Sequence, residues 1–138
     1  MKVADLVDFS MFSEEEFIKF ALDSLKFNIR DKKEREILQK TRLIKFVVLL
    51  AQKVGYNGLT YGWYRNGYYC QKAFEILSDK NVLSLEDYAS ENIKSTDKQK
   101  KIIDMAINEF KSIFLRATEK FYDWVYRVIS PKEYRKFY

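Results

Sequence analysis

The sequence has no histidine, one cysteine, one proline and four glycines among its 138 residues, and each shortage closes off a class of structure or chemistry. Without histidine the commonest general base and the commonest metal ligand are both missing, so neither a Ser-His-Asp nor a Cys-His catalytic arrangement can be assembled. Cys70 alone allows no intrachain disulfide and no cysteine metal cluster, which suits a reducing compartment. Few Gly and Pro leave long stretches unpunctuated, which favours long helices over a many-stranded sheet. The glycines at 55, 58, 62 and 67 lack the Lys-Ser/Thr partner and strand-to-helix context of a phosphate-binding loop. Met1 to Asp8 has no continuous apolar run, and nothing approaches the roughly 18 apolar residues of a spanning helix. A signal peptide and a membrane span are therefore not expected, and a cytoplasmic, soluble protein is.

What is present is core material. Hydrophobic residues make up 47% and aromatics 17%, enough for one domain over 1–138 and incompatible with intrinsic disorder. Net charge is +5, unevenly distributed. Residues 1–31 carry four Lys and Arg against seven Asp and Glu, and residues 32–72 carry nine against two. The ratio is two against six over 73–97 and ten against five over 98–138. Such alternation either sets a basic face against an acidic one, as in a nucleic-acid binder, or neutralises itself between packed helices.

Helical signals dominate. Ser13 followed by Glu14, Glu15 and Glu16 is a capping box, and Ile18, Leu22, Leu25 and Ile29 carry an apolar face to about Arg30. Asp31 caps a second predicted helix over 33–54, closed by Gly55, with a stripe Ile37, Thr41, Ile44, Val48 and Ala51. Leu59 to Arg65 is rich in strand formers and ends at Asn66-Gly67, a turn signal. A short helix is predicted over 69–79 with Phe74 and Leu77 inward, then a second strand at 82–85. Thr96-Asp97 opens the cleanest pattern. Ile103, Ile107, Phe110, Phe114, Ala117, Phe121, Trp124 and Val128 follow a heptad spacing, which predicts one helix over 97–129, roughly 50 Å long.

The fold expectation is thus a mainly α domain with a small two-stranded β element and a long C-terminal helix. The acidic run 14–16 is better explained as a helix start than as cation ligands, because consecutive helical residues diverge in direction. Cys70 is expected to be a small packing residue rather than a reactive thiol. Tyr56, Tyr61, Tyr64, Tyr68 and Tyr69, with Trp63, are the most distinctive composition in the chain. Interleaved with Arg65, Asn66 and Lys72, they either stack on bases, grip a protein, or fill the core beneath the strand.

The segment Tyr64-Arg65-Asn66-Gly67-Tyr68-Tyr69-Cys70 follows a Leu-rich helix, 42–50, and precedes Phe74, Leu77 and Asn81-Val82-Leu83. In this it resembles the winged-helix-like family of Panacea or SocA-type antitoxins, whose pattern is a Leu-rich helix, an aromatic strand, a Gly-Pro-Tyr-Ser turn and a short helix. Gly67 and Tyr69 match that turn, whereas Tyr68 stands for its Pro and Cys70 for its Ser; the match covers roughly residues 40 to 85. The resemblance implies a winged-helix-like core, here about 33–90, and DNA, a toxin or another protein as partner. It supplies no catalytic residues.

The expected function is a non-enzymatic, cofactor-free macromolecule binder, first a DNA-binding transcriptional regulator. Lys40, Arg42, Lys45, Arg65, Asn66 and Lys72 are its candidate contacts to duplex DNA. The alternative is a protein-interaction module, an antitoxin or adaptor, using Tyr68 and Tyr69. Phe114 and Phe121 on the heptad seam are candidates for pairing with a second copy, giving a homodimer.

Overall fold

The computed structural model describes residues 7–65 and 67–135. The domain is mainly helical with one two-stranded antiparallel hairpin and a helical C-terminal region, an arrangement consistent with a winged-helix-like fold. Helix α1, Glu14–Asn28, begins with the expected capping box. Ser13 Oγ accepts from the Glu16 amide at 3.1 Å, and Glu16 Oε1 accepts from the Ser13 amide at 2.9 Å. The other two acids of that turn are also engaged, Glu14 by the Thr60 amide and Glu15 by Lys19.

The predicted helix over 33–54 is two helices, α2, Lys32–Ile37, and α3, Lys40–Val54. No Gly or Pro marks the break. Leu38 and Gln39 leave the helix because their backbone pairs elsewhere: the Leu85 amide donates to Leu38 O at 2.8 Å, and the Lys40 amide donates to Leu83 O. Residues 83–85 are thus no strand of a sheet, and Gln39 and Ser84 form a lone bridge. The predicted stripe fails at the same place, since Ile37 and Thr41 are exposed. From Leu43 to Ala51, α3 is buried on nearly every side, as its composition implies, and Gly55 closes it in the left-handed region at φ 76°.

The hairpin joins β1, Gly62–Tyr64, to β2, Gly67–Tyr69, in the register Gly62↔Tyr69, Trp63↔Tyr68 and Tyr64↔Gly67. The second strand was expected at 82–85; it lies immediately after the turn, too short for alternation to reveal it. Gly67 takes φ 101°, open to glycine at little cost. Helix α4, Gln71–Asp79, follows with Leu77 buried, but Phe74 faces outward at 39% exposure.

The predicted 50 Å helix is broken as well. Helix α5, Asp97–Phe114, ends at Leu115; α6, Thr118–Trp124, starts after Ala117; a π-helical turn, Val125–Ile129, and α7, Lys132–Arg135, complete the described chain. The break folds the seam inward, so the Phe114 and Phe121 rings meet at 5.1 Å, tilted by 51°, both fully buried. Neither can form a dimer seam, which corrects that expectation. Residues 115–117, Leu-Arg-Ala, are good helix formers, so nothing local causes the bend. A peptide of residues 97–129 in a helix-promoting alcohol is expected to show helical NMR shifts straight through 115–117. A break that persisted there would mean that the bend is local after all.

One core runs through the molecule. Phe17 stacks on Tyr56 at 4.1 Å, and the Tyr56 hydroxyl donates to Phe12 O at 2.9 Å. Phe46 on α3 meets Phe110 and Phe114 on α5. Among the described residues no helix is long and apolar enough to cross a membrane.

Candidate functional site: a cationic and aromatic cleft beside the hairpin

Helix α3 turns two cations inward, and both were expected on the surface. Arg42 is 6% exposed. Its guanidinium donates to Phe114 O and to Arg116 O at 2.7 Å, reaches Thr118 Oγ1 at 3.4 Å, and lies 4.7 Å from the centre of the Phe121 ring. Phe114 O is an orphan carbonyl at the end of α5, Arg116 O lies in the connection and Thr118 Oγ1 at the start of α6, so Arg42 caps α5 and ties the turn into α6. It is a structural residue and not a phosphate contact.

Lys45, one turn further on, is 4% exposed. Among the described residues its ammonium has no hydrogen-bond acceptor and no carboxylate partner, only the Tyr122 ring at 5.5 Å. Burial without a counter-charge pushes its pKa from 10.5 down to about 8. It is therefore not a surface contact for duplex DNA either. Gly67 lets the hairpin close over this side chain, since a Cβ there would stand 3.0 Å from Lys45 Cε and 3.2 Å from Val125 Cγ1.

Lys45 opens into a cleft of about 290 Å³ between the start of α3, the hairpin and α4. Lys40, Thr41, Ile44 and Lys45 line it from α3, Tyr64, Arg65, Gly67, Tyr68 and Tyr69 from the hairpin, and Phe74 from α4. Three of these residues are cationic and none is acidic. Lys40 Nζ donates to Ser78 Oγ at 3.3 Å and sits 5.4 Å over the Phe74 ring, neutral partners that leave its charge uncompensated. Arg65 is exposed at the hairpin turn. Lys72 lies outside the cleft on α4 and meets Glu75 at 3.8 Å. Asn66 lies outside the described residues.

The hairpin divides its aromatics between two faces. Trp63 and Tyr68, directly opposite one another, pack edge to face at 4.9 Å, and Trp63 also meets Tyr126 and Tyr134 of the C-terminal segment. This face serves the core. On the other, Tyr64 and Tyr69 pack at 5.8 Å and Tyr69 meets Phe74, with Tyr64 61% exposed. Tyr68 and Tyr69 are both partly buried, so the exposed ring at the cleft mouth is Tyr64 rather than either expected tyrosine. Thr41, Ile44 and Phe74 were not foreseen in the cleft; once α3 starts at Lys40, positions 41, 44 and 45 share one face.

Cys70 is fully buried at the start of α4, and desolvation raises its thiol pKa despite nearby backbone donors. It packs, as expected. No protein-family model matches the chain, and neither curated proteins nor solved structures contain a match to it.

Proposed function

We propose that the chain is a non-catalytic domain that binds nucleic acid through the hairpin face, as a small DNA-binding regulator. The observation that carries this reading is the cleft itself, with three cations, no carboxylate among the described residues, and an exposed tyrosine at its mouth. Phosphates need fixed positive charge, and bases accept stacking on any exposed ring. Lys40, Arg65 and Lys72 are the cations placed to meet a backbone, Arg65 from the turn and the others from the flanking helices. Much of the remaining basic block is spent internally. Arg35 pairs with Glu86 and Lys53 with Glu109, while Arg42 and Lys45 are buried.

The test is an anisotropy titration of a 20-base-pair duplex at rising salt. With three or so phosphate contacts, affinity is expected to fall by about 50-fold between 50 and 200 mM salt. Replacing Lys40, Arg65 and Lys72 together by alanine is expected to reduce the log–log salt slope by about 3. No binding at about 50 mM salt would turn the same aromatic face into a protein-docking surface, the antitoxin or adaptor reading.

A further inference from the structure

The interior of the cleft asks for more than a passing phosphate backbone. The Lys45 side chain is almost wholly buried and lines the cleft, and among the described residues its ammonium has neither an acceptor nor a carboxylate, so its charge is met there by solvent alone. Lys40 and Arg65 add charge of the same sign, and no acid lines the space among the described residues. The start of α3 adds to the field: Gln39 makes no side-chain cap, and the first turn has no acid, so the positive end of the helix dipole is unopposed there. The available volume, about 290 Å³, falls just below the roughly 300–1,000 Å³ typical of small-molecule pockets. That is room for one nucleotide and not for a base pair. The walls are mostly apolar and aromatic, Ile44, Tyr68, Tyr69 and Phe74, with Tyr64 at the mouth.

We propose that this cleft is a binding site for a phosphate monoester on a planar aromatic body, held with the phosphate at the Lys45 ammonium and the base against Tyr64 and Tyr69. A monoester carries close to two negative charges at neutral pH, which suits a cleft lined by three cations better than a carboxylate does. Stacking reads no sequence, so the site takes any base. The ligand is a free mononucleotide or the phosphorylated end of a strand. The proposal deepens the nucleic-acid reading, but the two fail separately.

The full chain is titrated calorimetrically at 20 mM NaCl with thymidine monophosphate, thymidine, inorganic phosphate, and tetrathymidylate with and without a 5′-phosphate. Thymidine monophosphate is expected to bind at least 10-fold tighter than thymidine or phosphate alone. Lys45→Met is expected to weaken it at least 10-fold, and Lys98→Met, on the exposed start of α5, by less than 2-fold. Burying methionine in place of an unpaired ammonium preserves the fold, so melting each variant separates lost binding from lost structure. A 5′-phosphorylated tetramer binding 10-fold tighter than the mononucleotide identifies a strand end as the ligand, and the reverse order identifies the free nucleotide. No binding of thymidine monophosphate at 1 mM, or binding indifferent to Lys45→Met, overturns the site. Duplex binding without mononucleotide binding overturns this inference alone, and mononucleotide binding without duplex binding overturns the DNA reading alone.

Discussion

Replacing Arg42 by alanine is expected to cost about 3 kcal/mol of stability and to lower the melting temperature by roughly 10 °C. The loss has two parts. The Phe114 and Arg116 carbonyls lose a charged donor at the end of α5, and the Phe121 ring loses the plane lying over it. Arg42→Lys is expected to recover only a minor share, because a single ammonium cannot span two carbonyls and stack at once. Urea unfolding of the three proteins measures the free energy and thermal unfolding the melting temperature, both with circular dichroism as the readout. A fall of less than 3 °C for Arg42→Ala would mean that core packing alone turns α5 into α6.

Lys45→Met is expected to raise stability at neutral pH by about 2 kcal/mol, with the gain shrinking as the solution becomes alkaline. The sign follows from the direction of the shift. Folding lowers this lysine's pKa from 10.5 to about 8, so between those values the unfolded chain holds more protons than the folded one. Below pH 8 both forms are charged and the folded state bears the full penalty of burying the ammonium. From pH 8 to 10.5 the folded protein sheds that proton first, and the wild type gains stability with rising pH. Tyr56, Tyr88 and Cys70 act in the opposite direction, because burial raises each of their pKa values. The informative quantity is therefore the difference between wild type and Lys45→Met across pH 7 to 10, in which those contributions cancel. A difference that stays constant over that range would show that the ammonium is not desolvated.

Where helix starts are written in adjacent residues, the sequence could be read directly. Ser13 with Glu16 and Thr96 with Gln99 are complete capping boxes within four residues, and both helices begin where those boxes place them. The two breaks were invisible for the converse reason. Leu38 departs from helix geometry to meet Leu85, and residues 115–117 depart where Arg42 holds the Phe114 and Arg116 carbonyls, so each decision is made by a distant partner while local propensity argues for continuation. The site was partly legible. The tyrosine cluster, Lys40 and Arg65 stood out by composition and by the Asn-Gly turn, but Arg42 and Lys45 were placed outside because residue type alone suggests a solvated cation. A signal to the contrary exists: both sit in a helix whose remaining positions from Leu43 to Ala51 are apolar on every side, leaving it no surface to offer them.

The capping of α5 by a residue 72 positions upstream also has a meaning in time. A chain made from its N-terminus releases α3 long before Phe114 exists, so the guanidinium is in place when the carbonyls that need it emerge. Up to that moment the later segment has every local reason to extend as one rod, with Phe114 and Phe121 strung along its side as open apolar surface. The order of synthesis thus supplies the capping group before the turn that uses it. A rearranged gene that placed residues 97–135 ahead of α3 would keep every native contact and still expose that seam while it waited.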